Sequence, residues 1–230
     1  MAEFFKNTLF FGALISLAFY WVGMILKKKF RLAFFNPLLV SIVLTIAFLL
    51  VFDIDFETYN EGAKYLKYLL TPATICLAIP LYEQFELLKK NAAAVVVGIS
   101  TGVITSLSSV LLLSYIFGLD HAEYVTLLPK SITTAIGMGV SEELGGYVSI
   151  TVAIIVTTGI IGSIIADIVC KVFRITEPIA KGVGIGSASH AIGTTKAMEM
   201  GKVEGAMSSL SIVVSGFLTV LVAGLFAKFM

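Results

Sequence analysis

A series of apolar stretches, nearly free of charge and each about long enough to cross a lipid bilayer, most constrains this chain. They run at about Thr8–Leu26, Pro37–Phe52, Leu66–Tyr82, Ala92–Phe117, Tyr147–Val172 and Gly205–Ala227. A helix needs roughly 17–25 residues to cross the hydrocarbon layer, and inside it every backbone polar group must find a partner within the protein. A chain that is 58% hydrophobic and 13% charged over 230 residues holds more apolar surface than a soluble domain of that size can bury. The fold class expected is therefore an all-α integral membrane protein. Leu66–Tyr82 is the weakest span, because Lys67, Pro72 and Pro80 fall in or beside it. The first run is too long for a signal-peptide core and lacks a small-residue cleavage site, so it is read as a retained span. The whole of 1–230 reads as one membrane domain. The net charge of +1 gives no bias towards nucleic acid.

Two segments fit none of these spans. Ala122–Gly146 and Pro178–Gly201 each have a polar middle. Their middles echo each other. At an offset of about 56 residues Ser131 falls on Ser187, Thr133 on Ser189, and Ala135-Ile136-Gly137 on Ala191-Ile192-Gly193. The spans that follow align as well, Thr158-Gly159 with Ser215-Gly216. Each polar segment is either a broken crossing helix or a re-entrant hairpin, whose ten-residue arms reach about 15 Å, roughly the midplane.

Positive charge separates the two cases, since Lys and Arg concentrate in cytoplasmic loops. Lys27, Lys28, Lys29 and Arg31 place the first loop inside, and Lys89 and Lys90 place the third there. If Ala122–Gly146 crossed, Lys171, Arg174 and Lys181 would lie outside; as a hairpin it keeps them inside. The expectation is six transmembrane helices plus two re-entrant hairpins of opposite orientation, an inverted repeat with both termini outside. Residues 1–118 would form a scaffold, 119–173 the first hairpin-plus-helix repeat and 174–230 the second. The hairpins would move against the scaffold in an elevator-like way.

The chemistry sits in the two polar middles. A hairpin tip exposes the start of its second arm, and helix starts carry unpaired N–H groups and partial positive charge. Two such starts, near Thr133 and near His190, would converge and favour an anion. Lys130 supplies a cation, His190 a titratable donor, and Ser131, Thr133, Thr134, Ser187, Ser189 and Thr194 supply hydroxyls. Gly193 permits close approach, and Lys196 is one turn into the second arm. That inventory suits a small carboxylate bearing a hydroxyl or keto group. Ser and Thr in membrane helices also bond simply to a carbonyl one turn back, and the glycines also serve helix packing. Proton coupling through His190 is left open. No metal site is expected, because His121 is the only other histidine; Cys76 and Cys170 read as inert thiols. No catalytic constellation is visible, so neither an enzyme nor a cofactor is expected. Asp167 is expected to pair with Lys171 four residues on, and Glu142, Glu143, Glu199, Lys202 and Glu204 to be solvated.

At these residues the chain resembles the LrgB/CidB (YohK-like) family. The resemblance is carried by Leu-Pro-Lys-Ser-Ile-Thr-Thr at 128–134 and Gly-Ser-Ala-Ser-His-Ala-Ile-Gly-Thr at 186–194, with Glu-Gly-Ala at 204–206. Asn36-Pro37-Leu38-Leu39, Tyr59-Asn60-Glu61-Gly62, Pro72-Ala73-Thr74 and Pro80-Leu81-Tyr82 extend it over nearly the whole chain. Ala135 stands where the family commonly has Pro, and Lys196 where it commonly has Arg. The resemblance implies one of two activities. One is secondary transport of small monocarboxylates (pyruvate in bacterial relatives, glycolate and glycerate in the similar plastid envelope protein). The other is antiholin/holin-like control of murein hydrolase activity and cell lysis with a small LrgA/CidA-like membrane partner. The paired polar tips favour transport; the bacterial cytoplasmic membrane is the expected location, and a homodimer is expected because such scaffolds commonly pair.

Overall fold

The computed structural model describes residues 10–30, 35–76 and 78–230, and every regular element among them is helical. They group into two units, Met1–Cys76 and Leu77–Met230.

In the first unit, α1 (Phe11–Phe30), α2 (Pro37–Val51), α3 (Phe56–Tyr68) and α4 (Leu70–Cys76) follow in order. Asn36 caps α2, its side chain accepting from the amides of Leu38 and Leu39, while Pro37 fills a first-turn position that needs no donor. Asp55 caps α3 through the Thr58 amide at 2.8 Å. Gly12 of α1 meets Gly62 and the Tyr59 carbonyl of α3 so closely that a Cβ on either glycine would strike backbone. The Tyr59 hydroxyl and Ser16 Oγ share a hydrogen bond of 2.8 Å there, and Ser41 of α2 donates to the Ser16 carbonyl at 3.1 Å.

The second unit contains α5 (Ala78–Glu83), α6 (Phe85–Lys90), α7 (Ala92–Phe117), α8 (His121–Leu127), α9 (Thr134–Glu143), α10 (Val148–Val172), α11 (Pro178–Met200) and α12 (Lys202–Phe226), with a closing 3-10 turn at Ala227–Phe229. Among the described residues four helices are long and apolar enough to cross a membrane: α1, α7, α10 and α12 with its closing turn. Large apolar side chains stand exposed on them, including Trp21, Leu112, Ile116, Ile168 and Phe217, as lipid contact requires. Helix α2 is apolar but 15 residues long. The stretch expected as a third span is divided among the end of α3, α4 and α5, and Leu77 lies outside the described residues.

α7 organises the second unit. Val95, Ile99, Val103, Leu107, Val110 and Ser114 form its buried face at helical spacing. After α7 ends on the left-handed Gly118 (φ 64°), Asp120 and Glu123 form a capping box and α8 runs back along it. The chain then turns through 128–133 and returns as α9. Gly137 of α9 lies against Pro129 and Ile155, and Ser141 against Thr151. α9 is therefore antiparallel to α10.

α11 is not one straight helix. It breaks at His190, whose φ of 41° and ψ of −141° are not helical. Gly193 beyond the break packs on Ile185 before it, eight residues back, so the chain folds back on itself. Before the break, Gly182 meets Glu204 and Met207, and Gly186 meets Ser208 and Ser211; this arm runs parallel to α12. After it, Thr194 meets Ser208 and Met198 meets Gly205, so that arm is antiparallel to α12. The first arm also follows α7 in the same direction, Gly98 on Val183 and Gly102 on Ser187.

Candidate functional site

The two fold-backs reach the middle of α7 from opposite ends. The turn after α8 brings Lys130 and Ser131 to Ser106; the arm of α11 before His190 brings Ser187 to Gly102, one turn away. A small cavity lies between them, lined by Val103, Ser106, Leu107, Leu128, Ser131, Ile132, Ser187 and Thr219. It has space for about one water molecule and is too small for an organic anion.

Lys130 is half-buried. Its Nζ donates to Ser106 Oγ at 3.1 Å and to Ser131 Oγ at 3.0 Å, and the two hydroxyls lie 3.1 Å apart. Thr133 is the N-cap of α9 but makes no capping bond through its side chain, and Thr134 is the first residue of that helix; both are half-buried. The free N–H groups of that helix start thus sit three residues from the lysine. Ala135 follows in the first turn of α9 and is exposed.

Ser187 is buried and its hydroxyl donates back to the Val183 carbonyl at 2.7 Å, the local bond common to serines in membrane helices. Ser189 is buried against Gly162 of α10. His190 is 3% exposed, and its Nε2 lies 2.9 Å from the Ile155 carbonyl. Because a carbonyl only accepts, Nε2 carries the proton in this arrangement. The ring rests on Gly159, where a Cβ would approach within 2.7 Å of it. Gly193 closes the fold-back on Ser189 and Ile185. Thr194 donates to the His190 carbonyl at 3.0 Å, which leaves Ser208 to donate to Thr194 at 2.7 Å.

Ser131 and Ser187 thus line one cavity with Ser106, and Lys130 is bonded to two of those serines, with Thr133 and Thr134 at the adjoining helix start. Ser189, His190, Gly193 and Thr194 hold the second fold-back against α10 and α12. Lys196 stands apart and forms a 2.6 Å ion pair with Asp167, with Glu199 at 3.8 Å. This corrects the expected Asp167–Lys171 pair: the carboxylate reaches across to α11 instead of along its own helix. Glu204 is also corrected. It is buried, 8% exposed, and its carboxylate lies against Gly201 at the start of α12, where the helix dipole favours negative charge.

Ser106, Thr219 and Ser208 were missed as site residues because each lies inside an apolar run read only as a span. Gly98, Gly102 and Ser106 do recur every fourth residue, a small-residue stripe that marks a close-packing face. Among the described residues no three His, Cys, Asp or Glu side chains gather as metal ligands.

The model of the LrgB-like family matches residues 16–229. The chain belongs to the LrgB-like family. Family relatives include the antiholin-like protein LrgB of Bacillus cereus (strain B4264), of Bacillus cereus (strain AH187) and of Bacillus anthracis (strain CDC 684 / NRRL 3495). Each is 40% identical to this chain over 223 residues, 96% of it and 97% of the relative. No solved structure matches the chain. Family membership and the four long apolar helices together make this a multi-pass membrane protein.

Proposed function

We propose that this protein is an antiholin-like regulator of murein hydrolase activity and cell lysis, acting in the bacterial cytoplasmic membrane with a small LrgA/CidA-like partner. The observation that carries this reading is the 40% identity, over almost the full length of both chains, to relatives named antiholin-like. That name favours lysis control over the transport reading drawn from the tips alone. Deleting the gene should raise extracellular murein hydrolase activity and hasten autolysis, and restoring the wild-type chain should reverse both. Unchanged zymograms and lysis curves in the deletion strain would count against it.

A second reading has its own support in the Lys130–Ser106–Ser131 cluster of one tip and in the cavity that Ser106 and Ser131 share with Ser187 of the other. It is secondary transport of a small monocarboxylate of the pyruvate, glycolate or glycerate class. Here the fold-backs at 128–133 and His190 act as re-entrant hairpins of opposite orientation. α2 and the 66–82 stretch supply the remaining two of six spans, and the hairpins shuttle against a scaffold paired as a homodimer. Proteoliposomes holding the protein should take up labelled pyruvate or glycolate saturably, and Lys130→Ala should reduce the flux at least tenfold. Flux equal to that of empty vesicles would remove this reading for those substrates.

A further inference from the structure

We propose that the basic end of α1 binds an anionic phospholipid, with the phosphate at Lys28 and Lys29 and an acyl chain along the exposed face that leads up to them. The inference stands apart from both functional readings above.

α1 has two faces. Gly12, Ser16 and Gly23 share one of them, within about 40° of each other around the axis. Gly12 meets α3, Ser16 bonds to Tyr59, and Gly23 lies so close to Pro37 of α2 that a Cβ there would stand 2.8 Å from its backbone. The opposite face carries Leu14, Leu17, Trp21 and Ile25 at steps of three or four, all of them exposed, Trp21 by 61%. Lys28 is the next residue in that row and is also exposed, with Lys29 beside it. One row therefore runs from apolar side chains into cations. Leu17 and Lys28 are eleven residues apart. That is about 16 Å along the axis, close to the depth of one hydrocarbon leaflet, about 15 Å. A lipid chain lying against Leu17, Trp21 and Ile25 brings its headgroup to Lys28.

Charge then selects among lipids. Lys27, Lys28, Lys29 and Arg31 fall within five residues, and no Asp or Glu occurs from Phe4 to Phe52. The acidic residues Asp53, Asp55 and Glu57 follow α2 at the other end of the helix pair, where Phe11 meets Phe48. A zwitterionic headgroup brings its own ammonium and offers these side chains no net charge. A headgroup with a phosphate and no amine, such as phosphatidylglycerol, complements them. The lysine stems can lie along the chain region while their ammonium groups reach the phosphate. Lys29 Nζ stands 5.6 Å over the ring of Phe30, which stacks on Phe35.

Trp21 is the chain's single tryptophan and stands midway along the apolar row. Its fluorescence in reconstituted vesicles is quenched by brominated acyl chains that touch it. Mixtures of brominated phosphatidylglycerol with plain phosphatidylcholine, and the reverse, give the relative binding constant of the two lipids at this face. Wild type should favour phosphatidylglycerol about threefold or more. The double variant Lys28→Gln/Lys29→Gln should bring the ratio to about one. A ratio of about one for wild type, or a preference kept in the double variant, would overturn the proposal. Should the double variant not fold, wild type in ~1 M salt decides, because the screening length falls there to about 3 Å. The preference should drop towards one, and an unchanged preference overturns the proposal. Soluble glycerol 3-phosphate should leave the quenching unaltered; if it relieves the quenching, the ligand is a free phosphate and the lipid assignment falls.

Discussion

His190 holds its place by opposing terms. Its positive φ is rare for a residue with a Cβ, and such a backbone costs about 1–3 kcal/mol. The Ile155 hydrogen bond and the fit of the ring over Gly159 offset that cost. Gly159→Ala should therefore be expensive, since its methyl would sit 2.7 Å from Cε1 and 2.9 Å from Nε2. Overpacking of this kind costs about 1–3 kcal/mol. In a chain of this size that lowers the unfolding midpoint by roughly 2–4 °C per kcal/mol. Gly224→Ala, on a glycine with nothing within 4 Å, is the matched control and should leave the midpoint unchanged or slightly raised. Equal midpoints for the two variants in a thermal-shift assay would mean that the ring is not seated on Gly159. At this scale the placing of some polar residues was legible: Lys130, Ser131 and Ser187 stood out as polar groups in apolar surroundings, and the structure bonds Lys130 to Ser131 and sets Ser131 and Ser187 on one cavity. Ser106 did not stand out, because one serine in an apolar run bonds its own helix as readily as a neighbour.

Elements were legible where periodicity and charge sufficed. The long apolar helices α7, α10 and α12 lie close to their expected bounds, and the breaks fall in the two polar segments. The forms of the breaks were not legible. One is a six-residue turn, and the other is a single residue inside what otherwise continues as helix. Local propensity cannot see the second, since the Ile155 carbonyl and the glycines of α10 that hold it are over 25 residues away in the chain. Asp167 fails in the same way. Lys171 is its neighbour along the helix, but the return of α11 brings Lys196 nearer. This pair ties the second arm of α11 to α10 with side chains 21% and 44% exposed, so screening keeps its worth modest, about 1 kcal/mol or less. Lys196→Asp and Asp167→Lys should each lower stability by that order, and the double exchange should recover most of it. A double exchange no better than the sum of the single variants, by unfolding midpoint, would show that the pair contributes nothing.

Across the whole molecule the repeat implies an orientation. α10 and α12 run in opposite directions, each preceded by a fold-back whose second arm is antiparallel to it. If both fold-backs are re-entrant, the segment between α10 and α11 lies in the cytoplasm. In a chain with Cys76 and Cys170 replaced, Glu177→Cys should resist a membrane-impermeant maleimide in intact cells and react once they are opened. Labelling from outside alone would refute the orientation. Charge counting supplied this expectation, whereas the packing of the arms could be learned only from contacts between distant residues.

Gly102 and Ser106 sit on successive turns of α7, and each receives a different half of the repeat. The two halves therefore share one clock. Adding or removing a single residue between these positions would swing one of them about 100° around the axis, leaving one tip aligned and the other facing the wrong side. Between these two positions the helix accepts substitution but not a change of length.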